Sequence, residues 1–245
     1  HGDHGDHGDH GDHGDHGDHG ERGRRLLGAL TDASQALFPD DGPPVAVFQF
    51  SLEGFRADDL HALHDAAPVE LAPFVNALYD EGPGAGVLAG HHVVQAGVRT
   101  AHGLGALTCG IGTLPYNLAL VRDLQPFPVR CTSDVLADAG FRGSFFYGSD
   151  ASFDGMASFL QAHGYKNVVA QASLSSTLPH GVWGAVTDFA VFDEAARRVA
   201  AGLHDGAPQM AFVMSLSNHS PFTLPDDLPA DVRALATAAV AHACC

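Results

Sequence analysis

The sequence predicts an α/β fold in which a mostly parallel sheet is sandwiched by helices. From about residue 45 onward, apolar runs of strand length alternate with helix-like amphipathic segments, which is typical of repeated βαβ units. Polar candidate residues follow several of these runs, at the sheet edge where ligands bind in open parallel sheets. The composition is rich in alanine and glycine and is ordinary for a soluble α/β protein.

The chain begins with a segment that is unlike the rest. Residues 1–25 are dominated by a His-Gly-Asp repeat, and residues 1–20 hold seven of the 17 histidines and six acidic residues. Because the repeat has no apolar side chains to bury, we predict that it is disordered. Residues 26–44 predict a short helix followed by the linker "PDDGPP", which leaves 45–245 as one domain.

The first predicted strand is "VAVFQFS", residues 45–51, a continuous apolar run typical of a strand buried on both faces. Helical patterns follow at about 57–65 and 69–80, and a strand-like stretch at about 87–94 leads into "GVRTAHGLGAL". Thr100 opens the helix-like run there. Its hydroxyl either caps the helix, which is the commoner use of threonine, or acts as a nucleophile where the helix dipole favours an anion.

The second half continues the alternation. "CTSDVLADAGF" predicts a helix capped by Thr132 or Ser133 and stopped by Gly140. "RGSFFYG" and "KNVVAQ" predict strands, separated by a helix over "SFDGMASFLQAHGY" that ends at Gly164. "TDFAVFDEAARRVAAGLHDG" predicts a long helix and "QMAFVMSLS" the last strand.

Charge and cysteine content exclude several classes of function. The formal net charge is −17, which argues against a nucleic-acid partner. The four cysteines, including Cys244 and Cys245 at the end, predict neither a disulfide framework nor a spaced zinc motif. No membrane-span run or signal-peptide pattern is present, so we expect a soluble chain without a visible export signal. The repeat offers Zn²⁺ or Ni²⁺ ligands without fixed geometry, which favours plain low complexity over a specific metal site.

Three polar groups are predicted to meet at one sheet edge. Glu53 follows the first strand, Thr100 follows the second, and Asn218 and His219 follow the last. A threonine hydroxyl needs a metal ion or a base to become a nucleophile. Glu53 is a suitable metal ligand, and His219 is able to bind a substrate oxygen or protonate a leaving group. Taken singly, a solvated loop acid and a backbone-bonded histidine are the ordinary alternatives.

Several segments resemble the sulfatase-like phosphotransferases of the alkaline phosphatase superfamily. "VFQFSLEGFRADDL" is similar to their first strand and metal-ligand segment, "APFVNALYDEG" to the helix after it, "GVRTAHG" to the nucleophile segment, and "SLSNHSPF" to a strand-end motif. "LADAGFRGSFFYGSDASFDGM" and "GVWGAVTDFAVFDEA" resemble intervening segments of lipoteichoic acid synthase-type enzymes. The matches keep their order from about residue 45 to 225.

The resemblance implies roles for individual residues. Glu53 and Thr100 would ligate one divalent metal ion (Mn²⁺, Mg²⁺ or Zn²⁺), with Thr100 as the nucleophile that becomes phosphorylated. His219 with Asn218, Arg99 and Trp183 would form the substrate site, although a core tryptophan is an equally good interpretation of Trp183. The implied reaction is transfer of a phosphoglycerol-type group from a phospholipid or other phospho-alcohol. The implied setting is a membrane-anchored enzyme of the cell envelope with an extracytoplasmic catalytic domain.

Two departures from the family pattern qualify this expectation. "RTAHG" lacks the C/S-x-P-x-R pattern of sulfatases proper, so sulfate ester hydrolysis is the less favoured activity. The resemblance also places an Asp-His metal-ligand pair and membrane helices in segments that this sequence does not contain. We therefore expect a fold lacking its C-terminal part, with impaired activity and membrane contact only through missing segments. The alternatives are a sulfatase-like phosphoric or sulfuric ester hydrolase, and an inactive remnant with a metal-binding histidine-rich tail.

Overall fold

The structure, a computed structural model, describes residues 44–55, 99–112, 118–123, 128–174, 176–225 and 227–234, with positions 42, 97 and 114. The predicted repeat, the first predicted helix, the helices at 57–65 and 69–80 and the strand at 87–94 lie outside the described residues. Every element below belongs to the unit Pro44–Cys245.

The described sheet has four strands, all paired in parallel, which confirms the predicted architecture. They are β1 (Ala46–Ser51), β2 (Arg142–Tyr147), β3 (Asn167–Val169) and β4 (Gln209–Met214), in the spatial order β1-β4-β2-β3. Ser51 and Tyr147 both stand beside Met214 across the sheet. The carboxyl ends of β1, β2 and β4 are therefore level, and whatever follows them shares one edge.

Five α-helices lie wholly within the described residues around this sheet. They are α1 (Thr100–Cys109), α2 (Leu120–Asp123), α3 (Thr132–Asp138), α4 (Met156–Ala162) and α5 (Asp188–His204). In α5, Val191, Ala195 and Val199 recur every fourth residue and pack against apolar side chains of β2 and β4, as expected of an amphipathic helix covering a sheet. No helix within the described ranges is both long and apolar enough to cross a membrane.

The strand buried on both faces is β4, not β1 as predicted. All six residues of β4 are buried, and it lies between β1 and β2. In β1, the side chains of Phe48 and Phe50 are 39% and 50% exposed. Within the described residues β1 pairs only with β4 and lies at the sheet edge, so one of its faces has less to pack against. An apolar run of strand length does not reveal which strand is central.

Two predicted helix starts differ from the structure. The segment predicted as one helix from Ser152 instead opens with a 3₁₀ turn at Phe153–Gly155, and α4 begins only at Met156. The N-cap of α3 is Cys131 rather than Thr132 or Ser133, because the Asp134 carboxylate accepts the Cys131 N–H at 2.8 Å. The side chain that satisfies the N-cap N–H is therefore in the first turn of α3 itself.

Cys109 and Cys131 form a disulfide, contrary to the prediction that the cysteines form no such framework. Cys109 ends α1 and Cys131 caps α3. Their separation of 22 residues has no diagnostic spacing, so only the packing of the two helix ends brings the sulfurs together.

Candidate active site

A polar pocket of about 410 Å³ lies at the carboxyl edge of the sheet. Its walls combine the residues that follow β1 and β4, the start of α1 and the 3₁₀ turn before α4. Four of the predicted site residues meet there with three others: Glu53, Arg99, Thr100 and His219, together with Gly97, Phe153 and Asp154.

Glu53 is held at the end of β1 by a contact with the central strand. Its backbone N–H donates to the hydroxyl of Ser215, just beyond β4, at 2.8 Å. Gly54 follows with a φ of +66°, and a Cβ there would lie 2.9 Å from the side-chain nitrogen of Asn218. Glycine thus allows the turn after β1 to approach Asn218 closely. Asn218 does not line the polar pocket; with Glu53 it lines a neighbouring groove.

Thr100 is the first residue of α1, and its hydroxyl does not cap the helix. Arg99 is the N-cap residue, and the Arg99 N–H donates to Nδ1 of His102 at 3.3 Å. The buried His102 ring leaves room only for glycine at position 97, where a Cβ would lie 2.5 Å from the ring. The His102 imidazole, and not the Thr100 hydroxyl, therefore provides the side-chain hydrogen bond at the start of α1. Within the described part of the chain, the Thr100 hydroxyl makes no hydrogen bond, and Thr100 is one of the residues that line the pocket.

The segment that carries His219 is anchored by Asp188, the first residue of α5. The Asp188 carboxylate accepts the N–H groups of Leu216 and Ser217 at 2.8 and 2.9 Å. Nδ1 of His219 lies 2.8 Å from the Ser220 carbonyl oxygen. A carbonyl only accepts, so we assign the ring proton to Nδ1, which leaves Nε2 as the atom able to contact a substrate.

Trp183 is exposed beside His219 and is not a core residue. Its side chain is 62% exposed, and its ring centroid lies 4.5 Å from that of His219, with the ring planes tilted by 60°. Trp183 has a φ of +55° within the turn Val182–Gly184, a conformation that costs energy in a bulky residue. The indole packs against the imidazole.

Sequence reasoning missed Asp154, which contributes a carboxylate to the pocket. Its φ of +49° interrupts helical geometry and places it in the 3₁₀ turn instead of on a helix. The Asp-Gly pair at 154–155 is a common turn signal and was the available clue, hidden within an otherwise helix-like segment. Phe153 lies beside it at the pocket wall and is 59% exposed.

The electrostatics of the site combine one arginine with two carboxylates. Burial, and then the charge of Glu53, raise the pKa of Tyr147 at the end of β2 to about 12. Tyr147 therefore stays protonated near neutral pH and acts as a neutral group at this edge.

Next to the polar pocket lies a largely apolar groove of about 770 Å³, whose walls include Glu53, Phe189 and Leu224. Glu53 thus lines both the polar pocket and the apolar groove.

The pocket offers oxygen and nitrogen donors for a divalent cation: the carboxylates of Glu53 and Asp154, the hydroxyl of Thr100 and the imidazole of His219. Hard oxygen ligands suit Mg²⁺ and Mn²⁺, and imidazole suits Zn²⁺. Among the described residues, however, one set of three His, Cys, Asp or Glu side chains has its ligand atoms within 4.8 Å of one another. That set lies outside this pocket. The donor types fit a cation, and they are more widely spaced than in a formed metal centre.

A known protein family matches the part of the chain that forms this pocket. The Sulfatase family model matches residues 47–238, which include all of the described sheet except Ala46 and all the predicted site residues. The chain belongs to the Sulfatase family. The resemblance drawn from short segments is therefore confirmed over most of the chain.

The curated relatives of this Sulfatase-family chain include phosphoglycerol transferases. It is 29% identical over 168 residues to phosphoglycerol transferase I from Salmonella choleraesuis, covering 64% of this chain and 21% of that protein. It is 33% identical over 97 residues to phosphoglycerol transferase I from Xanthomonas campestris pv. campestris, covering 38% of this chain and 14% of that protein. The chain thus spans about a fifth or less of these relatives' length.

Solved structures confirm the fold of this Sulfatase-family chain. A protein in the alkaline phosphatase superfamily from Vibrio parahaemolyticus matches with a TM-score of 0.63 and 24% identity, over 75% of this chain and 43% of that one. The lipoteichoic acid synthase LtaP from Listeria monocytogenes matches with a TM-score of 0.62 and 16% identity, over 77% and 45%. At these identities the likeness supports the fold and not a shared substrate.

Proposed function

We propose that this chain is the catalytic part of a metal-dependent phosphotransferase that moves a phosphoglycerol-type group through a covalent threonine intermediate. One observation carries the proposal: Thr100, at the start of α1, lines the same pocket as Glu53, Arg99 and His219. The family and the names of the curated relatives support this class of reaction. An apolar groove beside the polar pocket suits an amphiphilic phospho-alcohol donor such as a phospholipid.

In the first step, Oγ of Thr100 gives its proton to solvent and attacks the phosphorus of a phosphodiester. The bond from phosphorus to the leaving alcohol breaks, and that alcohol oxygen takes a proton from Nε2 of a His219 ring that is protonated on both nitrogens. In the second step an acceptor hydroxyl attacks the same phosphorus and gives its proton to Nε2 of His219. The bond from phosphorus to Oγ of Thr100 breaks, and Oγ takes a proton from solvent. Negative charge that develops on the phosphoryl oxygens lies at the positive end of α1 and beside Arg99, which both stabilise it.

Glu53 and Thr100 would hold one divalent metal ion, with Mn²⁺, Mg²⁺ or Zn²⁺ all compatible with the donor types in the pocket. When bound, such an ion lowers the pKa of a coordinated hydroxyl and offsets phosphoryl charge. Asp154 would add negative charge near the same position. Asn218 lies against the turn that carries Glu53, so we assign it to positioning that carboxylate as well as to the substrate site.

The test is release of diacylglycerol from phosphatidylglycerol in detergent micelles with Mn²⁺ present. We expect Thr100→Ala to lower the rate at least about 1,000-fold, since removing a nucleophile removes the covalent route. Thr132→Ala is the matched control, because Thr132 is also the first residue of a helix and is exposed. Since the chain spans only part of its relatives, the ratio between variants and not the absolute rate is decisive. Equal rates for the wild type and Thr100→Ala would contradict the proposal.

The same assay separates the alternatives by product. Transfer to added glycerol supports a phosphotransferase, whereas glycerol phosphate formed with water as acceptor supports an ester hydrolase. Thr100-dependent cleavage of an aryl sulfate in preference to phosphodiesters would support a sulfatase. Absence of any Thr100-dependent product with Mn²⁺, Mg²⁺ or Zn²⁺ would support an inactive remnant.

A further inference from the structure

A second group of metal-ligating side chains lies outside the candidate active site, where three helices meet. Cys109 is the last residue of α1, Cys131 caps α3, and His163 follows the last residue of α4. Asp134 in the first turn of α3 completes the group. The sulfur of Cys131, a carboxylate oxygen of Asp134 and a ring nitrogen of His163 all lie within 4.8 Å of one another.

The side chains of this group are ordered by their own contacts. The Asp134 carboxylate accepts the Cys131 N–H and lies 2.8 Å from Nδ1 of His163 through the same oxygen. The ring of Phe159 packs against the His163 ring with centroids 4.6 Å apart. Exposure is 1% for the Cys131 residue and 12% and 22% for the His163 and Asp134 side chains. The group is sheltered and pre-arranged, and it remains reachable from solvent.

The sulfur of Cys109 belongs to the same group because it is bonded to the sulfur of Cys131. Two sulfurs, one imidazole and one carboxylate are four donors of the types that hold Zn²⁺ in closed tetrahedral sites. The disulfide is the one feature that prevents this, since a metal ligand must be a free thiolate.

We propose that reduction of the Cys109–Cys131 disulfide opens a zinc site whose ligands are the two thiolates, His163 and Asp134. A dithiol reductant supplies two electrons and two protons, so the S–S bond breaks, two thiols form, and the reductant becomes a disulfide. Zn²⁺ then binds both sulfurs and releases the two thiol protons. The two thiolates and the carboxylate carry three negative charges and the ion carries two positive charges. The site therefore has a net charge of minus one, which is acceptable where it is partly open to water.

The consequence concerns the helix that begins with Thr100. A helix of ten residues is about 15 Å long, so Thr100 and Cys109 lie at its opposite ends. The disulfide joins the far end of α1 to α3 under oxidising conditions, and the zinc ion joins the same two ends under reducing conditions. None of the four ligands lines the candidate active site, so the zinc site does not depend on the proposed function.

The test uses the full chain with Cys244→Ser and Cys245→Ser, so that the only two sulfurs able to bind metal are those of the group. The protein is reduced with dithiothreitol, freed of it anaerobically and titrated with Co²⁺. We expect a thiolate-to-cobalt charge-transfer band whose intensity corresponds to one sulfur-bound Co²⁺ per chain, no such band in the oxidised chain, and loss of the band when Zn²⁺ is added. The repeat at residues 1–20 contains no sulfur, so any Co²⁺ bound there would not contribute to this band.

A ligand variant and a matched control test the geometry. His163→Ala should weaken Co²⁺ binding in this band at least tenfold, while His204→Ala, at the exposed end of α5, should leave it unchanged. A reduced chain with no charge-transfer band, or an identical titration for His163→Ala, overturns the proposal.

Alkylation of the unmutated reduced chain provides a second measurement that requires no variant to fold. Zn²⁺ should slow the reaction of iodoacetamide with Cys109 and Cys131, as mapped on peptides, at least tenfold. Equal alkylation of these two cysteines with and without Zn²⁺ equally overturns the proposal.

Discussion

Replacing Asp188 by asparagine tests how the segment carrying Asn218 and His219 is held. The Asp188 carboxylate accepts two backbone N–H groups, from Leu216 at 2.8 Å and Ser217 at 2.9 Å. Leu216 is only 4% exposed, so water poorly replaces a lost acceptor. Asparagine keeps one acceptor oxygen but turns its amide N–H₂ toward the second donor, so one of the two bonds must break.

The size of the effect follows from that single bond. A hydrogen bond to a charged group contributes roughly 1.5–3 kcal/mol, so we expect Asp188→Asn to lower the free energy of unfolding by about 2 kcal/mol. For a domain of this size, the melting temperature should fall by roughly 4–8 °C.

The assay is urea unfolding of purified Asp188→Asn beside Asp193→Asn. Asp193 lies on the same helix and is exposed, so its variant should stay within about 0.5 kcal/mol of the wild type. We also expect a lower rate of Thr100-dependent release, because His219 loses its support. Equal stability of Asp188→Asn and Asp193→Asn would refute the idea that this carboxylate holds the segment after β4.

Gly148→Ala should destabilise the protein by about 1–3 kcal/mol in urea unfolding, because the new Cβ would lie 2.2 Å from the carbonyl oxygen of Val186. Gly103→Ala in α1 meets nothing within 4 Å and should stabilise the protein by up to about 1 kcal/mol; a loss of stability would contradict this. A side-chain hydrogen bond from Arg197 lowers the pKa of Glu194 from 4.5 to about 2. Ionised Glu194 therefore stabilises the fold above about pH 4.5, so the stability deficit of Glu194→Gln should shrink as the pH falls from 4.5 towards 2, and a deficit independent of pH would contradict it.

The alternation of strands and helices could be predicted from the sequence because it depends on local periodicity. The two helices from Thr132 and Asp188 and the strands around Phe145 and Phe212 lie where apolar spacing places them. Which strand is central could not be predicted, since "VAVFQFS" and "QMAFVM" are both continuous apolar runs. Strand order depends on contacts between residues far apart in the chain.

Local contacts in the site were also beyond sequence reasoning. The start of α1 offered Thr100 as a cap, and the structure uses the His102 ring instead, an arrangement permitted by glycine at position 97. Asp154 reaches the pocket only because the backbone leaves helical geometry at that residue. Both depend on backbone turns whose geometry is set by tertiary packing rather than by residue type.

The segments after the strands were more informative, because parallel strands end at one edge. Glu53, Thr100 and His219 were selected for that reason, and the structure brings all three to one pocket. Their chemical roles stay predictions. Arg99 joins them from the residue before α1, where it would face any phosphoryl group bound at the helix start.

The central claim is that Thr100 forms a covalent bond to the transferred group, and the most direct measurement is mass spectrometry of that residue. The chain is mixed with phosphatidylglycerol and Mn²⁺ without an acceptor, quenched in acid within one turnover, and digested. We predict a phosphoglycerol adduct on the peptide that contains Thr100, located on its hydroxyl by fragmentation and absent from Thr100→Ala. Diacylglycerol release with no adduct on Thr100, or an adduct on another residue that persists in Thr100→Ala, would contradict the account.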